Sequence, residues 1–192
     1  MAKDPEGEDI KTRLAPALSL KQRQELYETL IENTVERLSN VAELTAYIAY
    51  TAHGEYFEKF GLHNFAQQGE DLGSRMEHCL KEAFEHGHDR VAVVGTDIPE
   101  LSADIVKECI SLLDYADIVF GPAEDGGYYL VCMKQLIPEV FTGIEWSSPD
   151  TIRQSLDRCA DLGLLSSTGP MLWDIDTPED LARWNKTTWD KL

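Results

Sequence analysis

Val91–Glu100 reads VAVVGTDIPE: four residues of the kind that fill a sheet core, then a glycine, then a carboxylate at Asp97. A short apolar run bounded by turn signals is the pattern of a buried parallel strand. Ligands of open α/β sheets bind beyond the carboxyl ends of such strands. Asp97 thus stands where a divalent ion could be held against a nucleotide diphosphate, because hard cations take oxygen ligands. The same aspartate also suits the start of a turn closed by Pro99. These ten residues leave both readings open.

Around this strand the chain alternates between the two periods. Ser19 with Gln22 forms a capping box, and Leu20, Tyr27, Leu30, Ile31, Thr34 and Leu38 recur at helical spacing, which predicts a helix over 20–39. A strand follows near 43–50, then a short helical piece near 55–60. A helix over 71–86 carries Leu72, Met76, Cys79, Leu80 and Ala83 inward and stops at Gly87. Beyond the strand at 91–95, Ser102 opens a helix to about 113, and 117–121 and 128–133 read as strands around the turn-rich PAEDGG. Pro149 as a first helical residue starts another helix, which Gly163 ends. Asp174–Asp176 then leads into Thr177, Pro178, Glu179 and Asp180, the start of a terminal helix carrying Leu181 and Trp184, with Asp180 as the acidic partner of Thr177. Strands alternating with helices imply an α/β fold with a mostly parallel central sheet and helices on both faces. No linker, repeat or low-complexity tract interrupts the 192 residues, so a single domain is expected.

Composition excludes several classes. A formal net charge of −18 repels nucleic acid and anionic membrane surfaces alike. A nucleotide bound here needs its charge cancelled locally, by a metal ion and a few basic side chains. Cys79, Cys109, Cys132 and Cys159 show neither a CxxC pair nor a histidine at zinc-ligand spacing, and read as reduced core residues of a cytoplasmic protein. No apolar run reaches the ~18 residues of a membrane span, and the N-terminus is too acidic for a signal peptide. His86 and His88 flank Gly87 at a helix end and need no catalytic role. GxSxG, P-loop and GxGxxG motifs are absent from the sequence.

Four segments, AKDPEGEDIKTRL at 2–14, QQGEDLGSRM at 67–76, GTDIPEL at 95–101 and GPAEDGGYYL at 121–130, closed by DIDTPEDL at 174–181, together resemble a family of GT-A-like transferases. That family belongs to the nucleotide-diphosphosugar transferase superfamily; it is assigned as glycosyltransferases and its substrates are largely undefined. More distantly the layout is similar to phospholactate guanylyltransferase and the molybdenum cofactor nucleotidyltransferases. The resemblance spans nearly the whole chain and implies a Rossmann-like GT-A three-layer sandwich. It also implies that the family's first strand precedes Ala2, so that two strands flanking it are left with unpaired edges.

Carried over residue by residue, the resemblance places Lys11 and Arg13 at the nucleotide phosphates, where a compact ammonium and a forked guanidinium can offset a diphosphate. As a pair they also read as surface cations before a helix. The same loop departs from the family, which has proline then glycine where this chain has Gly7 and Glu8, with Asp9 following. A carboxylate there would repel a phosphate. Gln68, Gly69, Asp71 and Thr96 are implied to contact the nucleotide, Gln68 as the reader of the base edge. Asp71, opening a helix, reads equally as its cap. The resemblance makes Asp97 the ligand of a metal bridging two phosphates and Asp176 a second ligand, a pair of oxygen donors that suits Mg2+ or Mn2+. Asp125 is implied as the base for an acceptor hydroxyl, and Gly126, Gly127, Tyr128 and Trp146 as the acceptor site. Asp-Gly is also a strong hairpin signal, and Trp146 also a core residue.

Three functions follow as expectations. The first is metal-dependent transfer of a sugar from a nucleotide-diphosphosugar to a small acceptor. Its alternative is nucleotidyl transfer from an NTP to a phosphorylated small molecule. The third, from the acidic loop and the missing strand, is a nucleotide-binding protein without catalysis.

Overall fold

β4 (Ile118–Pro122) and β5 (Tyr128–Met133) are buried at every position but Tyr128, and they pair antiparallel through a five-residue hairpin connection. The computed structural model of the chain describes residues 1–6 and 10–189, with residues 185–189 followed by backbone alone. Contacts divide it into two compact units, one of Met1, Gln67–Gly95 and Leu101–Leu172, the other of Ala2–Ala66, Thr96–Glu100 and Trp173–Leu192.

In the first unit β3 (Val91–Val94), β5, β4 and β6 (Ser166–Thr168) form a sheet in that order. β3 and β4 are both antiparallel to β5, and β6 is parallel to β4. Three of the four strands therefore share a direction and β5 is the exception, because a five-residue hairpin can return the chain only antiparallel. Side chains alternate across the pleat. Ile118, Phe120, Val131 and Met133 pack with Met76, Leu80 and Ala83 of α3 (Leu72–Glu85) and Cys159 of α5 (Thr151–Asp161). On the opposite face Cys132 meets α4 (Ala103–Leu112), its thiol 3.6 Å from the Cys109 carbonyl. Helices thus cover both faces, the three-layer α/β arrangement that the strand and helix alternation implies.

In the second unit β1 (Tyr47–Tyr50) and β2 (His63–Ala66) are parallel, and Ala2 adds a parallel bridge to Tyr50. The long α1 (Leu20–Ser39) opens with the expected Ser19–Gln22 capping box. One side of it packs Tyr27 and Ile31 against Ile10, Ile48 and Phe57 of α2 (Glu55–Glu58). Leu26 and Leu30 meet Leu14, Trp173 and Ile175 in a second cluster. α6 (Pro178–Trp189) closes the unit.

Some sequence expectations are corrected. Leu72 and Leu20, counted with inward stripes, are 45% and 50% exposed. Helical side chains lean toward the N-terminus, so a first-turn residue leans past the end of its helix, where no core lies. Pro149 is not the first helical residue of α5, which starts at Thr151. It is spent instead in the turn that Thr151 N–H closes on Ser148 O at 3.1 Å. β2 and β6 were not expected: HNFA and SST are short and lack the apolar alternation of a half-buried strand.

The hairpin between β4 and β5 depends on Gly126, at φ 89°, where an added Cβ would lie 2.0 Å from the Pro149 carbonyl oxygen. Gly126→Ala is therefore expected to destabilise the protein by at least about 2 kcal/mol, from left-handed backbone strain together with overpacking. Urea denaturation should show a lower midpoint at unchanged slope.

Candidate active site

Two buried anchors set the first charged residue of the site. Ile10 and Leu14 are both sunk in apolar clusters of the second unit, and the chain between them makes a 3₁₀ turn over Thr12–Leu14. Lys11 caps that turn in the left-handed region, φ 50° and ψ 44°, unusual for a residue with a Cβ. Its side chain is only 4% exposed. The ammonium donates to the Ile175 carbonyl at 2.6 Å and pairs with Asp97 Oδ2 at 3.0 Å. Asp176 Oδ1 stands at 3.9 Å, beyond hydrogen-bond reach. One ammonium proton thus remains for a further acceptor.

Asp176 is placed by alternation. In Trp173–Asp176 the buried Trp173 and Ile175 face the apolar cluster, which turns Asp176 the other way. Its Oδ2 accepts from Arg13 Nη1 at 2.8 Å, so the carboxylate lies between an exposed guanidinium and a buried ammonium. Asp97, three residues beyond β3, is fixed through its backbone: its carbonyl accepts from Ile175 N–H at 3.0 Å, and Arg37 donates to Pro99 O at 2.6 Å. Asp97 Oδ1 is buried and has no hydrogen-bond partner among the described residues. A buried carboxylate oxygen without a donor is costly unless something else takes its charge.

The structure therefore brings together Lys11, Arg13, Asp97 and Asp176. Two cations and two carboxylates sum to zero, so the cluster offers a polyphosphate no net attraction unless a further cation joins it. No group of three or more His, Cys, Asp or Glu side chains suited to a metal occurs among the described residues. Two carboxylates, one with an unpartnered oxygen, do fit Mg2+ or Mn2+, which retain waters and take the rest of their coordination from phosphates. Thr96, expected at the nucleotide, is buried with its hydroxyl 3.4 Å from that of Tyr27. Gly7, Glu8 and Asp9 lie outside the described residues.

In the first unit a second set assembles. Asp71 caps α3, accepting from Ser74 N–H at 2.8 Å and from the Ser74 hydroxyl at 2.7 Å. Gly73 is backed by Trp146, whose ring carbon would lie 2.5 Å from any Cβ added there. Trp146 also meets the Tyr128 ring edge-on at 6.3 Å. Tyr128 packs on Phe120, and its hydroxyl is buried. Gly69, at φ 134°, lies against the start of α3 and its carbonyl accepts from Arg75 Nε at 3.2 Å; Gln68 is exposed. Asp125 is exposed and accepts from Gly127 N–H at 2.9 Å, the bond of an Asx turn. Asp71, which the family resemblance assigns to the nucleotide, thus opens the helix whose Gly73 lies against Trp146, which it assigns to the acceptor.

Asp180 serves as the acidic partner of Thr177, accepting from its N–H at 2.7 Å and from its hydroxyl at 2.6 Å. Burial alone would raise its pKa, but bonds from Thr177 and Asp176 outweigh that and hold it below the usual carboxylate range. Asp71 is lowered too, chiefly by the Ser74 N–H and hydroxyl. Groups with depressed folded pKa values contribute stability that is complete above the unfolded value of about 3.9 and is lost as pH falls through the folded one. Asp180→Asn should cost about 0.5–1 kcal/mol at pH 7 and less at pH 3. Urea midpoints at the two pH values check this.

Sequence reasoning missed the parts that hold the site rather than form it: the Ile175 carbonyl, Arg23, Tyr27 and Arg37. Arg23 alone left a signal, a cation at an inward position of the α1 stripe with Tyr27, Leu30 and Thr34.

The mixed sheet between helices is that of the nucleotide-diphospho-sugar transferase fold, and likeness to known proteins makes the chain a transferase. A crystal structure from Desulfovibrio desulfuricans G20, itself only provisionally assigned as a nucleotide-diphospho-sugar transferase, superposes with a TM-score of 0.83 at 32% identity, over 91% of this chain and 79% of that one. Residues 34–148 match the family described as uncharacterized protein conserved in bacteria (DUF2064), and the chain belongs to it. The 2-phospho-L-lactate guanylyltransferase of Methanococcoides burtonii is 24% identical over 183 residues, 92% of this chain and 78% of that protein. The phosphoenolpyruvate guanylyltransferase of Sphaerobacter thermophilus is 25% identical over 177 residues, 89% and 84% of the two chains.

Proposed function

We propose that the protein transfers a nucleotidyl group from an NTP, GTP foremost, to the phosphate of a small phosphorylated acid. An acceptor phosphate oxygen attacks the α-phosphorus, the bond from α-phosphorus to the bridging oxygen breaks, and pyrophosphate leaves with that oxygen. The observation that carries this reading is the Lys11 ammonium held 3.0 Å from Asp97, beside the unpartnered Asp97 Oδ1. Bound at Asp97 and Asp176, Mg2+ or Mn2+ would neutralise phosphate charge and favour departure of pyrophosphate. Lys11, with a proton to spare, donates to a phosphate oxygen from a fixed position, and the exposed Arg13 adds a second set of donors. By the family resemblance Gln68, Gly69 and Asp71 contact base and ribose, and Gly126, Gly127, Tyr128 and Trp146 the acceptor. A phosphate acceptor is already ionised near pH 7, its second pKa being about 6, so Asp125 is not needed as a base. We assign it to the hairpin turn.

The guanylyltransferase names of relatives that align over about 90% of the chain favour this reading over sugar transfer, the first expectation from the sequence. Sugar transfer stays as the second reading on the D. desulfuricans likeness. No described helix is long and apolar enough to cross a membrane, which agrees with small diffusible substrates.

The test is a panel of the four NTPs and of UDP-, GDP- and ADP-sugars with Mg2+ or Mn2+, each with 2-phospho-L-lactate or phosphoenolpyruvate, read by release of pyrophosphate or nucleoside diphosphate. Acceptor-dependent release supports the proposal. Free nucleoside diphosphate from a nucleotide-sugar, with no pyrophosphate from any NTP, supports sugar transfer. Silence in every arm, with GTP binding seen by isothermal titration, supports binding without catalysis.

A further inference from the structure

The buried face of α1 contains Arg23 and Tyr27, which the reaction above does not use directly and which lie near the Lys11–Asp97 pair. Arg23 is 8% exposed and sits in the first turn of the helix. A cation is disfavoured there by the helix dipole, and buried charges are rarely kept without a partner. Its Nη1 donates at 2.7 Å to the carbonyl of Ile10, the residue immediately before Lys11. The next residue, Gln24, donates at 3.2 Å to Pro5 O, so the start of α1 bonds to the chain at both Pro5 and Ile10. Lys11 itself needs such a grip, since a left-handed conformation in a non-glycine residue persists only where the surroundings over-determine it.

Tyr27, one turn further along, is buried beneath the same ion pair. Its ring centroid lies 6.0 Å from Lys11 Nζ, its oxygen accepts from Lys3 N–H at 2.8 Å, and the Thr96 hydroxyl stands 3.4 Å from it. Thr96 precedes Asp97. One helix face therefore touches the chain on both sides of the Lys11–Asp97 pair.

We propose that Arg23 and Tyr27 are positioning residues, which hold Lys11 and the Thr96–Asp97 turn in the geometry the reaction needs. Neither touches substrate. Arg23 acts through the Ile10 carbonyl, fixing where the Lys11 backbone turns, and Tyr27 acts through Thr96 and the underside of the ammonium. The catalytic half of this statement rests on the nucleotidyl-transfer reading, whereas the placement half stands on geometry alone.

The experiment separates the two. Full-length wild type, Arg23→Met, Arg23→Lys and Tyr27→Phe are treated with an amine-acetylating ester, and acetylation is followed lysine by lysine by peptide mass spectrometry. Thermal midpoint and pyrophosphate release are measured in parallel. Lys11 alone among the described lysines is buried, and in wild type it should react slowest. Arg23→Met is expected to raise its rate at least about tenfold relative to the exposed Lys21 and Lys81, with Tyr27→Phe smaller and Arg23→Lys, which keeps a charged donor, nearest to wild type. kcat should fall about tenfold or more while the KM for NTP stays within about threefold.

Unchanged Lys11 labelling in Arg23→Met and Tyr27→Phe overturns the inference, and so does a parallel rise at every lysine, which means general loosening. If Arg23→Met does not fold, Arg23→Lys and Tyr27→Phe decide by the same reading. Selective exposure of Lys11 without turnover in wild type keeps the placement and sinks the proposed reaction. Normal turnover with unchanged labelling does the reverse.

Discussion

Asp97→Asn is expected to lower kcat/KM for acceptor-dependent pyrophosphate release by on the order of a thousandfold, the scale of a lost metal ligand or a preorganised charge at a reacting phosphate. The substitution preserves size and keeps one carbonyl oxygen, so a loss of activity reads as loss of charge. The cluster of Lys11, Arg13, Asp97 and Asp176 is neutral as built, and the variant leaves it with one net positive charge. Nucleotide binding without metal should therefore hold or tighten while metal-dependent turnover collapses. Isothermal titration with GTP, with and without Mn2+, beside steady-state kinetics checks both halves. Equal loss of metal-free and metal-dependent nucleotide binding would point instead to a collapsed loop.

Lys11→Met is expected to act the other way on binding. Methionine fills nearly the same volume but removes the ammonium that donates to Ile175 O at 2.6 Å and pairs with Asp97 at 3.0 Å. Asp97 and Asp176 then face each other without their shared cation, and both nucleotide binding and turnover should weaken, kcat/KM by about a hundredfold to a thousandfold. The abandoned Ile175 carbonyl and the like charges should also cost about 1–3 kcal/mol of stability. Urea denaturation measures that cost. Adding Mn2+ should recover part of the stability, because a cation held by the two aspartates replaces some of what the lysine supplied.

The fold was legible where local signals were strong. The Ser19–Gln22 box and an unbroken stripe bounded α1 at Leu20–Ser39, and the apolar runs marked β3, β4 and β5 within a residue or so. Strands made of HNFA and SST carry no period to read and became visible only by their pairing. Leu72 misled because periodicity tells which side a residue lies on and not whether the core reaches that far along the helix.

For the site, Lys11, Arg13, Asp97 and Asp176 were picked out of the sequence by family motif, and the structure pairs Lys11 with Asp97 and Arg13 with Asp176, whose carboxylate lies 3.9 Å from Lys11. What the sequence hid was their support. The bonds from Arg23 to Ile10 and from Thr96 to Tyr27 join residues 13 and 69 positions apart, and such links leave no local pattern. Nor does a lysine in a left-handed conformation look different from any other lysine as a letter. Asp71, which the sequence offered both as a cap and as a nucleotide contact, is the cap of α3 through its bonds from Ser74.

The central claim is nucleotidyl transfer, and the fate of the α-phosphate tests it most directly. The protein is incubated with Mn2+, a phosphorylated acid acceptor and GTP labelled with phosphorus-32 at either the α or the γ position, and the products are separated. The account predicts that α label moves to a new compound joined to the acceptor while γ label leaves as pyrophosphate. An acceptor that never gains the α label, but takes up sugar from a labelled nucleotide-sugar in a parallel incubation as that donor releases nucleoside diphosphate, would contradict it.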